Sequence, residues 1–564
     1  MIRTSSRAVL VVAALLLAWG VAVLVTGGVV IETPWRTISS RAAIRPFIAA
    51  GLVLLLYATR WRDRWREDLG PLRRVPAAPI VVGAAVLATL VVGLMCGTRI
   101  AGGPDASGYV SEAALFVRGE LTQLTPEWAR NAPWNDSALT ASPVGYRPAE
   151  RTDILVPVYS PGLPLMMALF QMVAGPEAVF SVIPLLGAVT VWATWRLGRA
   201  VNSPWAGAAA AALVATSAGF LMMLVQPMSD VAAAALWTLA VLSAWHRRPF
   251  ASGLATAIAV LVRPNIVPLA AIPALLLLDR GRRAITPLVT FALTVCPAAA
   301  TIGALNWYYH GSPLRSGYGT LDYLYGPGNI GPNLQRYGSW FVASQTVLPL
   351  LGLIAPAFVG EPQRRRVALV TTIFPVAVLA LYLPYAVFPA HEWPYLRFLL
   401  PAYPALMIGF AIAVDGARRW IRNPALARAI AVLVVAAVAA HSWDFARANS
   451  VFAFGRHDER YARAVSFARQ LPRKSVLVSL SHSGTLALYT RHDVLRFEAI
   501  GRNAIDTAVD YVSRRGYPVY LIGDPFEVDM FRERFAGTQV VGRLDRARPV
   551  DLQGSVAYAL IPAN

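Results

Sequence analysis

The chain has 564 residues, of which 56% are hydrophobic and 15% charged, with a mean hydropathy of +0.51. Those values exclude an ordinary soluble globular domain and point to a polytopic α-helical membrane protein. The formal charge of +20 lies in short arginine-rich loops between apolar runs, so it marks topology and not a nucleic-acid surface.

The N-terminus carries Arg3 and Arg7 ahead of an apolar run at 8–30. The run is longer than a signal-peptide core and predicts an uncleaved first span with a cytoplasmic N-terminus. Further apolar runs predict spans near 46–59, 78–97, 178–197, 205–226, 230–245, 285–305, 338–358, 367–388, 395–414 and 427–443. Two shorter pieces between 246 and 283, split by "RPN" at 263–265, predict a hairpin and bring the total to about thirteen crossings. The basic stretches "RWRDRWREDLGPLRR", "WRLGR", "HRRP", "DRGRR" and "QRRR" then fall on the cytoplasmic side. Long loops at 98–177 and 306–337, and a tip at 389–396, fall on the outer side of the plasma (inner) membrane.

After 444 the composition changes. Strand-length runs "SVLVSL", "PVYLIGD" and "SVAYALIP" alternate with helical patterns, which predicts a small extracytoplasmic α/β domain. The chain thus divides into a two-helix membrane hairpin at 1–75, a transmembrane module at 76–444 and the α/β domain at 445–564. Cys96 and Cys296 both sit in apolar segments, which argues against a disulfide framework or a thiolate metal cluster. No nucleotide-binding glycine motif stands at a strand-to-helix turn, so ATP-driven transport has no support.

The candidate chemistry gathers at the outer rim. Asp105 opens "DASGYVSEAALFVRG", in which Tyr109, Ala113, Leu115 and Phe116 share a face, so the segment predicts a helix lying flat at the membrane interface. Asp is among the best N-cap residues, and spacing alone leaves a plain cap open. "YSPGLPLMMALFQMVAG", with Tyr159, predicts a second interfacial helix. Asp230 begins the span after a short turn and is equally readable as a cap or as a second acid on the same face as Asp105. Arg263 and Arg397 interrupt or begin spans near the outer face, where a cation is costly without a partner. His391 and Glu392, in "PAHEWPY", are candidate acceptor or metal contacts.

The order of Asp105 with Tyr109 and Gly119, then "YSPGLPL", "RLGR", Asp230, "LVRPNIVPLA", "NWYYHGSPLRSGYG" and "WPYLRFLLPAYPAL" resembles the GT-C glycosyltransferases of the bacterial protein O-mannosyltransferase-like group, over roughly residues 78–415. The resemblance implies a GT-C membrane enzyme that moves a sugar from a polyprenyl-phosphate donor to a protein, lipid or glycan acceptor, with inversion. It implies that Asp105 is the general base and Asp230 the second acidic site. A departing lipid phosphate needs cations, for which Arg263 and Arg397 are the candidates; Tyr109 and Tyr159 would contact substrate. No cofactor is certain; if a divalent metal takes part, Asp105 and Asp230 are its ligands. Many relatives carry a paired acid at the first site, whereas here Ala106 follows Asp105 and Glu112 lies two helical turns on. A non-catalytic or transport protein for lipid-linked sugars is the alternative. It would need ionisable groups through the bilayer midplane, where the predicted spans have almost none.

Overall fold

A computed structural model describes residues 77–562 except 151–152, 279–284, 360 and 388–390, together with parts of 8–61. Among the described residues, five helices are long and apolar enough to cross a membrane alone: Ala77–Cys96, Pro176–Val201, Ile285–His310, Trp393–Trp420 and Leu426–Ala448. Two bent pairs raise this to seven. The expected total of about thirteen crossings also includes Ser229–Trp245 and Pro249–Val262, shorter apolar helices of 17 and 14 residues. The expected span at 8–30 lies largely outside the described residues.

Two predicted spans are broken rather than continuous. The 205–226 run bends by 60° between Pro204–Thr216 and Ala218–Leu224. Ser217 takes an extended conformation there, and its hydroxyl accepts a 2.7 Å bond from Gln345 Nε2. The 338–358 run bends by 94° where Thr346 adopts a φ of 66°, ending the Ile330–Gln345 helix before Leu348–Phe358. Ser229–Trp245 runs through the interior. Its Ala232, Ala233, Ala234 and Ala235 are all buried, small side chains that let neighbouring helices approach closely.

The C-terminal residues form a five-stranded sheet in the order Asp493–Arg496, Val476–Ser479, Val519–Gly523, Val556–Ile561, Val550–Asp551. The first three strands are parallel, and the last two join antiparallel. Val476 and Val478 enter one apolar core with Ile505 and Phe531, while Leu477 enters another with Ala464 and Val465. That alternation is the two-residue period of a strand covered by helices on both faces. The runs at 475–480, 518–524 and 555–562 are strands as expected; Asp493–Arg496 and Val550–Asp551 were not foreseen.

The 98–177 loop contains more than interfacial helices. It adds a three-stranded antiparallel sheet of Gln123–Leu124, Ile154–Pro157 and Tyr146–Pro148, and it reaches into the C-terminal core. Trp128 and Trp134 pack with Leu495, Phe497 and Val509, and Trp128 Nε1 donates to Asp493 Oδ2 at 3.0 Å. Gly162–Ala174 does form the second expected helix, with Leu165, Leu169, Met172 and Val173 exposed along one stripe.

Candidate active site

The Gly103–Val117 helix carries the first carboxylate. Gly102 is its N-cap, Gly103 turns the chain at a φ of +73°, and Asp105 stands in the first turn, where the helix dipole favours negative charge. The plain-cap reading does not hold, because Asp105 is not the N-cap and its oxygens point elsewhere. Oδ1 accepts a 2.7 Å bond from the Tyr159 hydroxyl, and Oδ2 a 2.8 Å bond from Arg397 Nη1. The side chain remains 30% exposed. Nor does the helix lie on lipid. Residues Ala106 to Ala113 are all buried, and a Cβ on Gly108 would overlap the Tyr159 ring, so a small residue is needed where that ring closes over the helix.

A second ion pair lies behind the first. Asp230, in the first turn of Ser229–Trp245, is fully buried and accepts from Arg263 Nη2 at 2.5 Å. Each of the three Arg263 nitrogens makes a bond: besides Nη2, Nε gives to Ser229 Oγ at 3.1 Å and Nη1 to the Tyr382 hydroxyl at 3.3 Å. Tyr109 joins the two layers. Its hydroxyl donates to Ser229 Oγ at 3.0 Å, and its ring lies 4.6 Å from that of Tyr159. Phe398, stacked on Tyr382 at 5.2 Å, offers its ring to both guanidinium groups, 5.3 Å from Arg397 and 5.8 Å from Arg263.

These geometries divide the candidate residues into roles. Asp105, Arg397, Tyr159 and Tyr109 come together at an accessible edge, whereas Asp230 is a buried counter-ion to Arg263 with no exposed face for substrate. Among the described residues, no three of His, Cys, Asp and Glu gather as metal ligands would. Each aspartate instead holds a guanidinium, Asp105 through Oδ2 to Arg397 and Asp230 through Oδ1 to Arg263. His391 stacks on Tyr395 at 3.5 Å, and Tyr395 in turn lies under Arg397 at 5.1 Å, one aromatic layer from the site. Glu392 is exposed and caps the Trp393–Ala402 segment, its carbonyl accepting from Tyr395 N at 3.0 Å. Glu112 is 1% exposed, its Oε2 has no hydrogen-bond partner, and burial pushes its carboxyl well above the usual range. A neutral Glu112 does not replace the missing acidic neighbour.

Ser229, Tyr382 and Phe398 were not singled out as site residues. Ser229 reads from sequence as a helix cap, and Tyr382 and Phe398 lie in the apolar stretches "LYLPYA" and "LRFLLP", where no spacing marks them as partners of Arg263 and Arg397.

Burial alone would raise the Asp105 carboxyl, but the Arg397 charge and the bonds from Tyr159 and Arg397 outweigh it and hold the group below the ordinary carboxylate range. The carboxylate therefore stabilises the fold above its unfolded pKa, and that contribution is lost as the pH falls through the lower folded value. If the same group serves in catalysis, kcat/KM keeps its plateau into the acid range. Tyr159→Phe removes one stabilising bond, so the acid limb of a kcat/KM profile should move to higher pH; an unmoved limb would dissociate Asp105 from the titration.

Residues 177–454 match the Alg9-like mannosyltransferase family, a stretch that contains Asp230, Arg263 and Arg397 and begins after Asp105. No curated protein sequence matches the chain. Among solved structures, the chain is similar to the oligosaccharyltransferase AglB of Archaeoglobus fulgidus in complex with an inhibitory peptide and a dolichol-phosphate. Identity is 12% and the TM-score 0.51, over 88% of this chain and 74% of that one. It is similar also to ArnT of Cupriavidus metallidurans bound to undecaprenyl phosphate, with 15% identity and a TM-score of 0.50 over 86% of this chain and 98% of that one. At these identities the likeness shows the fold, and that fold is GT-C.

Proposed function

We propose that this chain, a membrane glycosyltransferase with the GT-C fold, transfers a sugar from a polyprenyl-phosphate carrier to an acceptor hydroxyl at the outer face of the plasma membrane, with Asp105 as general base. The observation that carries the reading is the partly exposed Asp105 carboxylate held between the Tyr159 hydroxyl and Arg397, at 2.7 and 2.8 Å. In the reaction the acceptor oxygen attacks the anomeric carbon from the side opposite the phosphate, and the carbon–phosphate oxygen bond breaks. The acceptor proton passes to Asp105, and the carrier leaves as polyprenyl phosphate. A single displacement of this kind inverts the anomeric centre.

Arg397 links the two halves of that chemistry. Its Nε is buried without a hydrogen-bond partner, so the guanidinium has donor capacity left for a phosphate oxygen. A phosphate beside Arg397 offsets part of the charge that holds the Asp105 carboxyl down, so the base strengthens when the donor arrives. Arg263, with Ser229, Tyr382 and Asp230 on its three nitrogens, frames the site rather than binding the leaving group. The undecaprenyl phosphate and dolichol-phosphate held by the two similar structures support a lipid phosphate as the carrier.

Arg397→Met should weaken binding of undecaprenyl phosphate, used as the probe, by about 10- to 100-fold, the equivalent of a charged hydrogen bond worth about 1.5–3 kcal/mol. Calorimetry on the detergent-purified protein checks this, and unchanged binding would remove Arg397 from the phosphate site.

A further inference from the structure

The C-terminal sheet unit takes hold of the chain just ahead of Asp105. Tyr489 receives a 3.2 Å bond from Ala101 N at its hydroxyl, and Thr485 Oγ1 donates to Ala101 O at 2.7 Å. Both polar groups of the residue before the N-cap are therefore held by side chains from the Ser483–Tyr489 helix, 388 and 384 positions away. One residue on, the ring of Tyr461 covers Gly102 so closely that a Cβ there would overlap its Cδ2 and Cε2. Tyr461 is itself fixed, 4% exposed, with the His482 ring at 4.4 Å on one side and the Arg460 guanidinium 4.8 Å from its centroid. Asp524 Oδ2 lies 3.3 Å from Arg460 Nε as an ion pair and completes the bracket.

We propose that Tyr461, Thr485 and Tyr489 are positioning residues for the transfer reaction: they lock residues 101–103 and so set the first helical turn, which aims Asp105 between Tyr159 and Arg397. The inference rests on the reading of Asp105 as the base. Its physical content is that a carboxylate in a first turn moves as a body with the backbone before it, and a shift of about 1 Å in a reacting group costs about 100-fold in rate. The titratable groups facing Asp105 are Arg397, Tyr159, Tyr109, Tyr318, Tyr395 and Arg263, and none belongs to the C-terminal unit. Any effect of the clamp on the titration of Asp105 must therefore pass through its position.

The test uses the full-length protein and whichever of mannosyl-, arabinosyl-, glucosyl- and galactosyl-phosphoryl polyprenol the wild type consumes. Thr485→Val with Tyr489→Phe, and separately Tyr461→Ala, should lower kcat by about 10- to 100-fold while leaving KM for the donor within about twofold. The acid limb of kcat should move to higher pH as the carboxyl drifts from Arg397 and Tyr159. Tyr461→Phe, which keeps the ring over Gly102, should restore wild-type behaviour. Gly102→Ala should be harmful alone and much less so combined with Tyr461→Ala, a non-additive cycle. Loss of activity that tracks a fall in Tm with an unmoved acid limb would reduce the three residues to structural ones and overturn the proposal. Wild-type kcat in the clamp variants beside an inactive Asp105→Asn would overturn it while sparing the base; full activity of Asp105→Asn would remove the base and the proposal together.

Discussion

Asp105→Asn is expected to lower the transfer rate by about 100- to 10,000-fold, the range that a positioned general base supplies. The substitution is close to isosteric. Asn keeps an oxygen for the Tyr159 hydroxyl, which donates at 2.7 Å, and removes only the charge and the basicity. Because the Asp105 side chain is 30% exposed and that of Arg397 15%, solvent screens the lost ion pair, and the fold should survive with little change in Tm. Loss of rate without loss of fold separates a chemical role from a structural one. The check is a turnover measurement beside a thermal melt on the same preparation; a variant that turns over like the wild type would end the case for Asp105.

The second large effect is on stability, and it lies one layer deeper. Asp230 is fully buried and bonded to Arg263 at 2.5 Å, so Asp230→Ala would leave a buried guanidinium with no counter-charge. Breaking such a pair costs about 3–5 kcal/mol, whereas replacing both members by apolar residues is often neutral. Asp230→Ala should therefore aggregate or melt well below the wild type, while Asp230→Leu with Arg263→Met should recover much of the Tm. The double variant also tests function, because a framework pair can be replaced with residual turnover and a second catalytic acid cannot. An Asp230→Ala protein as stable as the wild type would contradict the buried-pair reading.

The contrast between these two aspartates marks how far sequence reasoning reached. Both were legible as acids at the ends of apolar segments that share a side with Arg263 and Arg397, and the structure brings all four together, because charge at the rim of an apolar helix is a strong signal. Which arginine meets which aspartate was not legible. Arg397 reaches Asp105 across 292 positions, and no periodicity carries that pairing. The breaks at Ser217 and Thr346 were hidden for a similar reason: each apolar run reads as one span, while the bend depends on a buried Gln345 that bonds Ser217 from 128 positions away.

The C-terminal strands "SVLVSL", "PVYLIGD" and "SVAYALIP" were legible because strongly apolar runs of strand length stand out in a polar stretch. The Asp493–Arg496 strand was not. Its sequence "DVLR" is short and bounded by charges, and it is placed by parallel pairing with Val476–Ser479 and by Trp128 from the first loop. The flat interfacial helix expected after Asp105 failed for the same physical reason. Tyr159 and the C-terminal unit bury that helix on several sides, and sequence pattern cannot tell a protein-covered apolar face from a lipid-covered one.

The central claim, direct inverting transfer from a polyprenyl phosphate, is open to one measurement. Purified protein in liposomes is given the panel of polyprenyl-phosphate-linked sugars, each labelled at the anomeric carbon, with envelope extract as the acceptor source, and the configuration of the transferred sugar is read by NMR. The account predicts that one donor is consumed, that polyprenyl phosphate is released, and that the sugar arrives with its anomeric configuration inverted. Retention of configuration, or consumption of none of the donors by folded wild-type protein, would contradict it.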